Sequence, residues 1–198
     1  MRILALDAAG AEASICLIQD GLVVAERRQA AQTGQPAILP ALLDGMLDGP
    51  PIDLVAVGVG PGGFTGIRTA LALAGGLAAG RGVGIVGVAA GEALAMLAPN
   101  PQARPVWAAI GNRRGGIFLL RPGAPPASLA EVALPAPACP ILVVGSAAAV
   151  VVARLLARGQ PAMLGHAGGP MARGIALAAA AGVAGPVSPL YVDQPAVT

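Results

Sequence analysis

The residues whose types and spacing could do chemistry are Asp7, at the end of the first apolar run, and the stretch Gly60-Pro61-Gly62-Gly63-Phe64-Thr65-Gly66. An apolar run over 54–59 reads as a buried strand, and an Ala/Leu-rich helix follows over about 67–79. Strand, glycine turn and helix start in that order expose backbone N–H groups at the positive end of a helix dipole, which suits phosphate. Asp7 then stands where a metal-side or phosphate-side carboxylate would, and it serves equally well as the residue capping the Ala8-Ala9-Gly10 bend. Arg68 falls in the first turn of the helix, where a cation opposes the dipole unless it meets an anion. Bound phosphate, a partner's carboxylate and plain exposure all account for it. The loop therefore holds a nucleotide, supports a partner or only turns the chain.

Several chemistries drop out on residue types alone. All twelve basic residues are arginine, which excludes a lysine-dependent phosphate loop, a Schiff-base enzyme and a lysine general base. Gly58-x-Gly60-x-x-Gly63 matches the dinucleotide fingerprint in form. Its next acid, however, is Glu92, beyond the following strand and too far on for the ribose, and Glu92 reads as solvent-facing. His166 is the sole histidine, and Cys16 and Cys139 match no metal spacing, so no metal site and no catalytic residue is expected. Cys16 lies in an apolar strand and reads as a buried free thiol. Ser14, Ser128, Ser146 and Ser188 lack the context of an activated nucleophile. The net charge of +2 gives no broad basic footprint, and Arg113-Arg114 reads as a hairpin tip that either meets a phosphate backbone or is merely exposed.

The elements that must position these groups follow from pattern. The 198 residues are more than half apolar, with four aromatics, 19 prolines and 29 glycines, so short elements should pack closely through small side chains. Strands are expected over 2–7, 13–19 and 22–28, the last two joined at Asp20-Gly21, a strong hairpin signal. Helical spacing covers 36–47, a strand 84–88 and a short helix 91–97. Three strands followed by alternating helices and strands describe a mixed sheet covered by helices. Proline-rich residues 99–105 mark a boundary, giving one lobe over 1–100 and a smaller one over 101–198. The second holds a hairpin over 106–121, a proline-rich loop over 122–140, a strand at 141–144, a helix capped by Ser146, a short strand at 162–164 and a last helix over 171–181. The uncharged stretch 132–153 is broken by prolines and reads as loop, strand and helix rather than a membrane span. With no secretory signal in view, a soluble cytoplasmic protein is expected. On the helix after the glycine loop, Gly66, Ala70, Ala74 and Ala78 repeat every four residues, a face on which another element can approach closely. That element is either the helix's own sheet or a partner's helix.

The motif Gly60-Pro61-Gly62-Gly63-Phe64-Thr65-Gly66-Ile67-Arg68 resembles the GPGSFTG-[VI]-R signature of the bacterial TsaB family. Residues 2–7 resemble its first strand, Ile38-Leu39-Pro40 its LLP helix, Asn112-Arg113-Arg114-Gly115 its arginine hairpin and Pro189-Leu190-Tyr191 its tail. The resemblance implies an α/β actin-like ATPase or ribonuclease-H-like fold with two lobes. It also implies a noncatalytic paralogue of TsaD that binds it as a heterodimer, with the ATPase TsaE as third member, in threonylcarbamoyl transfer to adenosine 37 of tRNA. On that reading Gly60 to Gly66, Arg68, Ala70 and Ala74 belong to a partner interface or a weak nucleotide contact, and Asp7 is a vestigial phosphate-side acid. The isolated chain then needs no cofactor, ATP or ADP belongs to the complex, a homodimer forms through the same helices, and tRNA is met only through the complex.

Four positions depart from the family pattern. Asp7 is followed by Ala8 and Ala9 where Asp-Thr is usual, Gly63 replaces a serine, Gly111 an acid, and Thr33-Gly34 a histidine. Each removes a polar group, which fits a scaffold better than an enzyme. The alternative is an actin-like nucleotide-dependent enzyme using Asp7 and the glycine loop; a peptidase reading has neither a ligand pair nor a nucleophile to support it.

Overall fold

The computed structural model describes residues 1–30, 35–112 and 115–192, so Thr33-Gly34 and Arg113-Arg114 lie outside the described residues. The chain forms two compact units, Met1–Met96 with Gly169–Leu190, and a second built on Leu97–Gly168. The expected division into 1–100 and 101–198 is thereby corrected: after the second unit the chain returns to the first.

In the first unit β1 (Arg2–Asp7), β2 (Glu12–Gln19) and β3 (Leu22–Ala30) form an antiparallel meander, turned at Asp20-Gly21 with both residues at positive φ. Helix α1 (Gln35–Leu42), β4 (Leu54–Gly60), α2 (Phe64–Arg81), β5 (Gly84–Ala89) and α3 (Ala90–Leu97) follow. The sheet order is β3-β2-β1-β4-β5, with β1, β4 and β5 parallel. β1 is central and all six of its residues are buried. α1 stops five residues short of the expected 47. Arg27 of β3 donates its Nη1 to the carbonyls of Leu42 and Asp44, closing the helix end, and Gly45 turns the chain at positive φ.

The second unit holds β6 (Val106–Gly111), β7 (Ile117–Arg121), β8 (Ala124–Leu129), β9 (Ile141–Val144), α4 (Ala148–Leu156) and β10 (Ala162–Leu164). Its order, β10-β9-β6-β7-β8, repeats the first sheet: an antiparallel meander, then two parallel strands beside the first of the three. β8 lies inside what reads as a proline-rich loop. It is an edge strand, where Pro125 and Pro126 are tolerated because one side of the strand needs no ladder donors. Ser146 does not cap α4. The helix has Ala147 at its N-cap, and the Ser146 hydroxyl instead accepts the Gly111 N–H at 3.0 Å.

The last helix, α5 (Met171–Ala180), belongs to the first unit and covers one face of its sheet. Ile175, Ala176 and Ala179 pack there with Ile3, Ala5, Cys16 and Ile18, while α1 and α2 cover the face of Leu4, Leu6, Leu17, Val55 and Val57. Ser14 of β2 accepts the Ala172 N–H at 3.1 Å, satisfying a first-turn donor of α5 from a distant strand. Arg173 forms a two-point ion pair with Glu26 of β3, at 2.6 and 2.7 Å. Among the described residues no helix is long and apolar enough to cross a membrane.

Candidate functional site at the glycine loop

The loop leaves β4 at Gly60, whose φ is +104°, passes a cis Gly60–Pro61 bond and enters α2 with Gly63 extended at the N-cap and no side-chain cap. Its backbone is seated on the turn that follows β1. The Gly63 N–H donates to the Ala9 carbonyl at 2.7 Å, so one of the donors that phosphate would want is already satisfied. A Cβ on Gly62 would lie 2.4 Å from the Ala9 oxygen, and one on Gly66 only 1.7 Å from the Ala8 oxygen. These glycines are needed for close approach of backbone to backbone. Where a phosphate cradle presents N–H groups to open space, this loop has two carbonyl oxygens against it. The residues present do not fit a nucleotide's phosphates at this point.

The second unit repeats the closure. A Cβ on Gly145 would lie 2.4 Å from the Ala109 oxygen, and the Ala147 N–H donates to that same carbonyl at 3.0 Å. In both sheets the loop after the fourth strand is thus bonded back to the first.

Asp7 is 3% exposed and shares the sheet face of Ile3 and Ala5, which α5 covers, while Ala8 belongs to the core beneath α2. A Cβ on Gly58 would meet the Asp7 Oδ1 at 2.3 Å and the Ile175 Cδ1 at 3.0 Å, so the carboxyl is wedged beside Gly58 and the α5 side chain. Burial pushes its pKa up to about 7, against a smaller opposing effect of the Ala9 N–H bond. An enclosed acid wedged between Gly58 and Ile175 has little room to reach a metal or a phosphate, and the role of phosphate-side carboxylate is not supported by this geometry. Among the described residues no group of three acids, histidines or cysteines could hold a metal.

The small-residue stripe also needs correction. Gly66, Ala70, Ala74 and Ala78 all face inward, Ala70 and Ala74 with no exposure, in the core with Leu4, Leu6 and Val57. Ala70 and Ala74 are thus core residues and form no part of an exposed contact face. The opposite face of α2 carries Ala72, Gly76, Ala79 and Gly80, all exposed, and a Cβ on Gly75, Gly76 or Gly80 would meet nothing within 4 Å. Nothing among the described residues requires those three glycines, and each costs the helix about 1 kcal/mol relative to alanine. At the N-terminal end, Phe64 is 47% exposed and Arg68 stacks on its ring at 3.8 Å. Pro61 is buried and Thr65 is exposed, its carbonyl accepting from the Thr69 hydroxyl.

Elsewhere Glu92 accepts the Ala89 N–H at 2.9 Å and so caps the start of α3, His166 is exposed, Cys16 is buried and Cys139 exposed. The outer face of α2 is marked in the sequence by Gly75, Gly76 and Gly80, three glycines in a helix that tolerates them poorly.

Two sheets of like topology, each with helices and each with its glycine turn closed by its own first strand, define a two-lobed α/β protein of the actin-like, ribonuclease-H-like class. Residues 25–124 match the family model described as TsaD: tRNA N6-adenosine threonylcarbamoyltransferase. A curated relative, the tRNA threonylcarbamoyladenosine biosynthesis protein TsaB of Escherichia coli (strain K12), is 35% identical over 123 residues. That match covers 60% of this chain and only 53% of that protein. A solved structure of YeaZ from Pseudomonas aeruginosa is 26% identical with a TM-score of 0.69, covering 96% of this chain and 99% of that one. Another, an uncharacterized protein similar to peptidase YeaZ from the same organism, has a TM-score of 0.73 at 24% identity, covering 97% and 99%. The chain belongs to this family, in its TsaB branch.

Proposed function

We propose that the chain is a noncatalytic scaffold subunit supporting a TsaD-type paralogue in threonylcarbamoyl transfer to adenosine 37 of tRNA. The observation that carries this reading is the closed glycine loop: the Ala8 and Ala9 carbonyls pack against Gly62 and Gly66, and the Gly63 N–H is already bonded to Ala9, in a chain of the TsaB family. Membership supplies the pathway, and the closure argues against chemistry in this subunit.

On this reading the chain works by presenting a surface. The outer face of α2, with Ala72, Gly75, Gly76 and Ala79, lets a partner helix approach to a short interaxial distance, and Arg68 on Phe64 stands at its end. The TsaD-type subunit is its occupant in the complex, a second copy of this chain its occupant otherwise, and a TsaE-type ATPase completes the assembly. ATP or ADP is bound by the complex rather than by this chain, tRNA is met through the complex, and the setting is the cytoplasm.

Co-expression with the TsaD-type subunit of the same organism tests the proposal. The expected result is a stable heteromer and no ATP hydrolysis by the isolated chain. ATP turnover by the isolated chain that Asp7→Ala abolishes would establish the nucleotide-enzyme alternative instead.

A further inference from the structure

We infer that one end of the second unit is a docking surface for the phosphate backbone of the tRNA. The inference rests on the proposed role in tRNA modification and deepens it.

Charge is divided unevenly along the chain. Residues 97–168 carry six arginines and a single acid, Glu131, while the rest of the chain carries six arginines and nine acids. Such asymmetry between units is a polyanion-binding signature that the small overall charge conceals. Glu131 is already engaged, its Oε2 3.1 Å from Nη2 of Arg154. Among the described residues, no carboxylate forms an ion pair with Arg104, Arg121 or Arg158.

These three are held by neutral groups. Arg158 donates Nη1 to the Leu134 carbonyl at 2.9 Å and Nη2 to the Val132 carbonyl at 2.7 Å. The Arg121 guanidinium lies 5.6 Å from the centroid of the Trp107 ring, and Arg104 contacts the Met163 sulfur. Neutral acceptors and rings fix a guanidinium without cancelling its charge, so the cost of ordering it is met before an anion arrives.

Topology gathers them. Arg104 precedes β6 and Arg121 ends the antiparallel β7, which places both at the end of the sheet where β6 begins. The starts of β9 and β10 lie at that same end, with the Leu142 N–H on the Pro105 carbonyl and the Ile141 N–H on the Pro161 carbonyl. α4 runs back between these parallel strands, so Arg158, two residues past it, returns there too. Fixed, uncompensated cations at one end of a sheet fit a phosphate backbone, which is recognised by charge and position rather than by sequence.

The test uses the full chain in complex with its TsaD-type subunit, a labelled transcript of a tRNA bearing adenosine at position 37, and fluorescence anisotropy across a salt series. Arg104→Gln, Arg121→Gln and Arg158→Gln combined should weaken binding roughly tenfold or more near physiological salt. The log–log salt slope should become shallower by about two to three. The matching triple lysine variant, which keeps charge but changes shape, should retain most of the affinity. Unchanged affinity and slope in an intact glutamine-variant complex overturns the surface alone. Equal losses in the lysine and glutamine variants also overturn it, by showing a structural role. A wild-type chain that never associates with the TsaD-type subunit overturns the proposed function, and this inference with it.

Discussion

Gly66 and Ala8 are in backbone contact across the first unit: a Cβ on Gly66 would come within 1.7 Å of the Ala8 carbonyl oxygen. That contact seats the N-terminal turn of α2 directly on the turn after β1. It converts a motif with the order of a phosphate loop into a structural joint. The joint holds α2 flush on the sheet, which in turn decides which side of the helix faces outward.

Gly66→Ala should therefore destabilise the chain by at least about 2–3 kcal/mol, because backbone cannot move aside as a flexible side chain does. Gly76→Ala, on the same helix with open space around its Cβ, should instead raise stability by up to about 1 kcal/mol. Paired urea denaturation curves check both. Equal and small effects at the two positions would mean that the loop does not bear on the Ala8 carbonyl.

The same two faces separate folding from association. Ala74→Arg places a guanidinium in a fully buried position of the core and should abolish folding. Ala72→Arg, on the exposed face, should leave thermal unfolding within a degree or two while breaking association with the TsaD-type subunit and with a second copy. Size-exclusion chromatography with light scattering reads the outcome, and an Ala72→Arg chain that still assembles places the interface elsewhere.

What could be read without the structure was largely local. The apolar run Ile3–Leu6 before Asp7, the Asp20-Gly21 turn and the strand-loop-helix order around Gly60 each carry their own signal, and each forms as expected. What failed depended on distant partners. A four-residue repeat of small side chains on α2 describes two faces equally well, and only the position of Leu4, Leu6 and Val57 decides which is inside. β8 was hidden because Pro125 and Pro126 read as loop unless the strand is known to be an edge. The return of α5 to the first unit rests on Ser14 and Glu26, some 150 residues earlier in the chain. Closure of the loop by two carbonyls involves no side chain at all, so residue types could not reveal it.

Asp7 makes stability depend on pH in an unusual direction. Its folded pKa, about 7, lies above its unfolded value of 3.8, so the folded state binds the extra proton between those values. Stability is then undiminished below about pH 4, falls as pH rises toward 7, and levels off above it. Asp7→Asn removes the titration while keeping an oxygen for the Ala9 N–H. The variant should match the parent near pH 4 and exceed it by on the order of 2–4 kcal/mol at pH 8. A stability difference that does not change with pH would show that the carboxyl is not held in its neutral form.

The α5 attachment can be followed through the two cysteines. Cys139 is exposed and should react with a thiol reagent within seconds. Cys16 sits beneath α5 with no exposure, and burial first, then the nearby Glu26 carboxylate, pushes its pKa up to about 12. Its thiolate is therefore scarce, and out of reach of reagent, until α5 lifts. Glu26→Gln loses the charge that holds Arg173, a pair whose side chains are 21% and 36% exposed and which is worth about 1 kcal/mol after solvent screening. Removing the Glu26 charge also lowers the barrier to ionising Cys16, but only in the closed state, where reagent has no access. The labelling rate should then rise about five- to tenfold if α5 opens as a unit, in proportion to the lost pair energy. Under conditions where opening and closing are fast, Ser14→Ala, which removes the hydroxyl bound to the Ala172 N–H, should produce a rise of similar size at Cys16 and none at Cys139. Rates at Cys16 that follow global unfolding alone, unmoved by either substitution, would show that α5 does not open separately from the sheet it covers.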